Sequence, residues 1–214
     1  MNTPKKEIYL FDYDGTLVDS MPVYGGVILR ILNEHHVDYP PNILKITTPL
    51  GLIKTAEYFI ELGIQKSHDE VMRLMLDYMI DGYTNDVPAK PTVVETLHAL
   101  KARGASLNVL TASPHDTLDP CLKRIGIFDI FDNVWSCNDF GTTKADPEIY
   151  KMAAERLGVP VGNVIFIDDN YNADKTAKKA GMVVYGIFDE TSREYTDDIK
   201  AITDRYIETF AELI

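Results

Sequence analysis

Ile8-Tyr9-Leu10-Phe11-Asp12-Tyr13-Asp14-Gly15-Thr16 sets an apolar, aromatic-rich run directly against a cluster of turn formers. Such a run, too short for a helix and ended by Asp and Gly, reads as a buried strand opening into a polar loop. The layout recurs where Leu107-Asn108-Val109-Leu110 meets Thr111-Ala112-Ser113-Pro114, and where Val164-Ile165-Phe166-Ile167 meets Asp168-Asp169-Asn170. Helical periodicity fills residues 92–103, 147–157 and 173–180, each followed by a glycine stop at Gly104, Gly158 or Gly181. Strands alternating with helices predict an α/β fold, a doubly wound, Rossmann-like parallel sheet covered on both faces. In such sheets ligands bind beyond the carboxyl ends of the strands, where strand order reverses. The three polar loops, distant in sequence, are therefore expected to meet in one site.

Between residues 21 and 88 the strand signal disappears. Val27, Ile28, Ile31 and Leu32, and then Val71, Met72, Met75, Leu76 and Met79, repeat at helical spacing. This predicts an inserted all-helical cap at residues 21–85, set into a core formed by 1–20 and 86–214, with hinges near 20–23 and 86–89. The Met-bearing stripe is read as packing within a small helical bundle in preference to a partner-binding face. Near the C-terminus, Ile199, Ile202, Tyr206 and Phe210 with acids between them predict a closing surface helix within 191–214.

A length of 214 residues suits one main domain with a sizeable insertion. The net charge of −12 opposes nucleic-acid binding, and it would also repel phosphate esters unless local cations are present. The segment up to Glu7 is polar and the apolar run after it is far too short to span a membrane, so a cytoplasmic, soluble protein is expected. Cys121 and Cys137 form neither a disulfide framework nor a spaced zinc site and are read as small core residues.

Asp12 and Asp14 alone are ordinary turn residues. The full string Phe11-Asp12-Tyr13-Asp14-Gly15-Thr16-Leu17-Val18-Asp19-Ser20, however, is similar to the D-x-D-G-T signature of the haloacid-dehalogenase superfamily. Three further motifs match in order: Thr111 after the second strand, Lys144 in Lys144-Ala145-Asp146-Pro147-Glu148-Ile149-Tyr150, and the Asp168-Asp169 pair. The resemblance covers residues 8–181. It implies that Asp12 is a nucleophile forming an aspartyl-phosphate, and that Asp14 is the acid and base for the leaving alkoxide and the attacking water. It further implies Mg²⁺ held by Asp12, by Asp14 through its backbone carbonyl, and by Asp169, with Asp168 a ligand or a support. Thr111 and the Ala112 N–H would bind phosphoryl oxygens, and Lys144 would offset the accumulating negative charge. Two departures stand out, Ala145 in place of the family's first proline after the lysine and Asp168 where many members have glycine. Asp174 could serve as the second acid of the last motif, although its place at a helix start also suits a solvated or capping residue. The five histidines, His35, His36, His68, His98 and His115, fall outside the motifs, with His115 near enough to Thr111 to line the pocket.

Retention of Asp14 favours phosphoryl transfer over dehalogenation, since halide departure needs no proton. The chain most resembles the phosphoglycolate-phosphatase/β-phosphoglucomutase-like subgroup. Tyr24 stands where sugar phosphomutases carry a cap histidine, so a phosphatase acting on a small phosphate monoester is expected ahead of a mutase. The loop at 46–55, with Lys54, is the expected specificity segment. Two other readings are a non-catalytic relative that binds phosphorylated ligands, which would have lost the nucleophile or the lysine, and a flavodoxin-type domain without Mg²⁺ dependence. The expected partner is a small phosphorylated substrate, with no nucleic acid or membrane, and the protein is expected as a monomer or weak homodimer.

Overall fold

The computed structural model describes residues 6–214, so most of the polar N-terminal segment lies outside the described residues. The first strand, β1 (Ile8–Phe11), is buried along its whole length, as a strand covered on both faces must be. It pairs in parallel with β2 (Ser106–Thr111) and with β4 (Val164–Asp168), and Phe11 faces Val109 on one side and Ile167 on the other. That register brings the three polar loops out of the sheet at one level, and the Asp12 N–H still bonds to Ile167 O at 2.9 Å. With β3 (Asn133–Ser136), β5 (Val183–Ile187) and β6 (Arg205–Ile207), the sheet has six parallel strands in the order β3-β2-β1-β4-β5-β6. The order reverses between β1 and β4, so their carboxyl ends frame the switch-point crevice.

The described chain divides into two compact units, residues up to Asp19 with Pro88–Ile214, and Ser20–Val87. These limits differ from the expected ones by one residue at the first junction and two at the second. The second unit is helical throughout: α1 (Met21–Glu34), α2 (Ile43–Thr47), α3 (Gly51–Leu62) and α4 (His68–Asn85), with a short 3-10 turn at Thr48–Leu50. A reciprocal Ser67–Glu70 capping box starts α4. Val27, Ile28, Ile31 and Leu32 of α1 pack with Phe59, Val71 and Met75. Met72 and Met79 are only partly buried and Leu76 is 37% exposed, so the stripe read as core packs chiefly through Val71 and Met75. Lys54, within the expected specificity segment, is exposed on α3.

In the first unit the chain continues through α5 (Val93–Ala102), α6 (His115–Arg124), α7 (Glu148–Arg156), α8 (Tyr171–Ala180) and α9 (Thr196–Ile202). The two connections to the helical unit are laced together on the core side, where Val18 bridges Ala89 and the Asp19 N–H bonds to Pro88 O at 3.0 Å. Thr92, just before α5, is a β-branched residue at φ +67°, a strained conformation for that side chain, and its hydroxyl accepts the Ala211 N–H at 3.1 Å. Cys121 and Cys137 are buried and neither is in a disulfide, as read.

The expected C-terminal helix is replaced by α9, β6 and a 3-10 turn at Phe210–Leu213. Asp204 breaks the helical run. Its N–H bonds to Val184 O and its carboxylate accepts the Val184 N–H, both at 2.8 Å, which fastens the chain to the open edge of β5. Ile207 is then buried as a strand residue, while Ile199 is buried from α9 against Gly186, where a Cβ would lie 2.3 Å from its Cγ2.

Candidate active site

Asp12, Asp14, Thr111, Ala112, Lys144 and Asp169 line one cavity of about 400 Å³ in the first unit, together with Thr143, Ala145, Asn170, Asn172 and Ala173. Of the residues singled out for chemistry, Asp168 is fully buried and is not on the wall of this cavity. His115 is not on the wall either, which corrects the expectation that it lines the pocket.

Lys144 Nζ donates to Asp12 Oδ1 at 2.5 Å and to Asp168 Oδ2 at 2.7 Å. The second oxygen of Asp168 accepts the Asn170 N–H at 2.7 Å, so this fully buried carboxylate has both oxygens engaged. Its geometry is that of a support for Lys144 and for the turn into α8. Burial alone would depress Lys144, but the Asp12 and Asp168 carboxylates override it and hold the ammonium well above the usual lysine value. Asp12 moves the other way: burial first, then Asp168 and Asp14, raise it to about 7 against the pull of Lys144. The two shifts have one cause. The cluster holds more carboxyls than cations, so the lysine is held charged while Asp12 is pushed toward its protonated form.

Asp169 is buried and its pKa is raised well above the ordinary value, by burial and then by Asp168 and Asp12. Thr16 Oγ1 donates to its Oδ1 at 2.9 Å. Gly15, at φ +78°, passes so close that a Cβ would sit 2.6 Å from Asp169 Oδ2, so the glycine of the first motif is required by approach as well as by conformation. Asp12, Asp168 and Asp169 each bring a carboxylate oxygen within 4.8 Å of the others. Buried, hard, all-oxygen and short of positive charge, this donor set fits Mg²⁺.

The Ser113 hydroxyl donates to Asp14 Oδ2, and the Ser113 N–H donates to Thr111 Oγ1 at 3.0 Å. Tyr150 Oη donates toward Lys144 O at 3.1 Å and Ala173 O at 3.2 Å, pinning the lysine's loop to α8, while its ring meets Phe166 edge-on. Thr16, Ser113 and Tyr150 were not assigned roles from the sequence. All three lie inside the quoted motif stretches, yet their partners are between 6 and 153 residues away, a relation only the fold supplies.

Asp174 overturns its expected place. It is neither solvated nor a cap, because Asn170 caps α8 through the Asn172 and Ala173 N–H groups. Asp174 is fully buried and, among the described residues, neither of its carboxylate oxygens has a hydrogen-bond partner.

His115 bridges Asp119 (Nδ1, 2.7 Å) and Asp139 (Nε2, 2.9 Å), tying the start of α6 to the turn that leads toward Lys144. These bonds raise the imidazole pKa from its ordinary 6.5 despite some burial. A raised basic group stabilises the fold fully below its unfolded pKa and loses that contribution as pH rises through the folded one. His115→Gln is therefore expected to lower the melting temperature at pH 5.5 and to converge on wild type by pH 9. An equal deficit at both pH values would show that the protonated bridge contributes nothing.

A family model for haloacid dehalogenase-like hydrolases matches residues 6–181. The chain belongs to this family. It is 32% identical over 179 residues to the pyrophosphatase PpaX of Bacillus velezensis, covering 83% of this chain and 81% of that one. It is 26% identical over 206 residues to the phosphoglycolate phosphatase of Psychrobacter arcticus, covering 92% and 89%. Among solved structures, a haloacid dehalogenase family hydrolase of Deinococcus radiodurans with bound phosphate and sodium superposes with a TM-score of 0.78 at 21% identity, covering 97% and 93%. That likeness is one of fold. Among the described residues no helix is long and apolar enough to cross a membrane.

Proposed function

We propose that this haloacid dehalogenase-like hydrolase is a Mg²⁺-dependent phosphatase that hydrolyses a small phosphate monoester through an aspartyl-phosphate on Asp12. The observation carrying this reading is the placing of Asp12, Asp14, Thr111, Ala112 and Lys144 on one cavity wall, with a carboxylate cluster suited to a hard cation beside them. The names of the relatives, a pyrophosphatase and a phosphoglycolate phosphatase, agree with a small anionic substrate.

Asp12 attacks phosphorus, and the bond to the ester oxygen breaks as Asp14 delivers a proton to the departing alkoxide. Water then attacks the acyl-phosphate, Asp14 takes its proton, and inorganic phosphate leaves with Asp12 restored. Ser113, through its bond to Asp14, steadies the carboxyl that must change protonation twice. Thr111 and the Ala112 N–H hold the phosphoryl oxygens, and Lys144 opposes the charge that gathers at Asp12 and phosphate. Mg²⁺, held by Asp12, the Asp14 carbonyl and Asp169, would supply charge neutralisation and favour the ionised form of Asp12. Asp168, engaged by Lys144 and the Asn170 N–H, supports this set. Hydrolysis is favoured over a mutase reaction because Tyr24 directs its hydroxyl to Thr47 O, at 3.4 Å within the helical unit, where a mutase needs a proton carrier.

The deciding experiment is phosphate release from an aryl phosphate with Mg²⁺ and with EDTA, followed by a panel of small phosphate esters and pyrophosphate. Metal-dependent release with a preference inside the panel supports the reading. Metal binding without release from any compound points to the ligand-binding alternative.

A further inference from the structure

Lys90 follows the segment by which the chain re-enters the first unit, and its N–H bonds to Leu17 O at 3.0 Å. A surface lysine keeps its ammonium in water and lays its stem on apolar neighbours. Lys90 instead turns its ammonium inward. Nζ donates to Gly15 O at 2.5 Å, to Phe188 O at 2.8 Å and to Asp189 Oδ2 at 2.9 Å. Three acceptors match the three protons of an ammonium, so the group is saturated and fixed.

The three acceptors come from two places. Phe188 and Asp189 follow β5, and Asp189 is itself anchored by the Thr191 N–H at 2.9 Å and the Thr191 hydroxyl at 2.5 Å. Burial pushes the Asp189 carboxyl up, but the bonds from Thr191 and Lys90 bring it below the ordinary value, so the pair is ionic. Gly15 belongs to the loop carrying Asp12 and Asp14. Its α-carbon is pressed on the Asp169 carboxylate, and the next residue, Thr16, donates to Asp169 Oδ1 at 2.9 Å. One peptide, Gly15–Thr16, thus rests on Asp169 and has its carbonyl held by Lys90. No motif of the family signature includes Lys90.

We infer that Lys90 is a positioning residue for phosphoryl transfer, holding the Gly15–Thr16 peptide against Asp169 and so setting the metal-facing side of the site. The inference rests on the phosphatase reading above for its catalytic consequence, but its effect on the acidic cluster does not require turnover. Outer-shell groups that orient metal ligands typically change metal affinity or activity by roughly 10–100-fold when removed.

The test is Lys90→Met, which keeps the length of the stem and removes the charge, beside wild type. Mg²⁺ affinity of the resting protein is read by titration calorimetry, and kcat and KM with an aryl phosphate. The expected result is Mg²⁺ binding weakened about tenfold or more and kcat reduced by a similar factor at saturating Mg²⁺, with KM changed less than about twofold. Lys90→Cys, alkylated with 2-bromoethylamine to restore an ammonium of lysine length, should recover both, with alkylated wild type controlling for the buried Cys121 and Cys137. If Lys90→Met does not fold, Lys90→Cys before and after alkylation makes the same comparison. A lowered melting temperature with Mg²⁺ affinity and kcat per folded molecule unchanged would overturn the inference. Wild type without phosphatase activity would overturn the enzymatic reading, while the Mg²⁺ titrations would still decide whether Lys90 positions the cluster.

Discussion

Asp12→Asn is expected to reduce phosphate release by on the order of 10³-fold or more, while making the resting, Mg²⁺-free protein more stable at pH 8 than wild type. The first half follows from the proposed chemistry: an amide cannot form the acyl-phosphate, and positioning by Lys144, Thr111 and the Ala112 N–H then has no nucleophile to serve. The second half follows from the charge imbalance. Asp12 is buried beside Asp168, and its pKa is raised from 3.8 to about 7. A carboxyl with a raised folded pKa is favourable to the fold only while protonated. Its contribution is complete below 3.8 and declines as pH rises toward 7. Asparagine stays neutral throughout, so the variant should gain on the order of 1–3 kcal/mol over wild type at pH 8 and little or nothing at pH 4. Thermal unfolding at the two pH values, in EDTA, measures this directly, with phosphate release assayed on the same samples. An active Asp12→Asn would remove the nucleophile assignment. A less stable variant at pH 8 would mean that the Lys144–Asp12 bond outweighs the crowding of acids.

How much of this site could be read from the chain depended on where the physical information sits. The strands β1, β2 and β4 announce themselves because both faces are covered, which forces an unbroken apolar run ending at the polar site. β3 does not, because Asn-Val-Trp-Ser carries a polar residue at each end and is mostly half-buried. β6 has only Ile207 fully buried, and its pairing depends on Asp204 bonding to Val184 across the edge of β5, a contact with no local signature. The residues touching the proposed reacting atoms were legible as motifs, since those atoms dictate both residue type and spacing. The residues one layer out were not. Ser113 reaches Asp14, Thr16 reaches Asp169, and Lys90 reaches Gly15 across 75 residues, so their partners are chosen by topology. Asp174 failed for a related reason. Its helix start suggested solvent, but residues 173, 174, 177 and 180 form the buried face of α8, and only the packed structure reveals which face that is.

Asp174 also gives the largest effect on stability that is expected outside the cavity wall. Among the described residues neither of its oxygens has a partner, and an unsatisfied buried polar group costs about 1–3 kcal/mol, more when ionised. Burial first, then Asp168 and Asp169, raise its pKa well above 3.8, so the folded protein keeps this carboxyl protonated where the unfolded chain has already lost the proton. The sign is the same as for Asp12: stability is complete below 3.8 and falls as pH climbs toward the raised folded value. Asp174→Asn has nearly the same shape and no proton to lose. Its unfolding free energy should therefore improve relative to wild type by roughly 1–3 kcal/mol between pH 4 and pH 7, measured by urea denaturation without Mg²⁺. Because Asp174 is not on the cavity wall, the variant should keep Mg²⁺ affinity and kcat within about threefold of wild type. Parallel stability curves would show that Asp174 titrates alike in the folded and unfolded chains. A variant stabilised as expected but with Mg²⁺ affinity lost would instead assign Asp174 to the metal, as the second acid of the last motif, and Asp168 would then be left to its bonds with Lys144 and the Asn170 N–H.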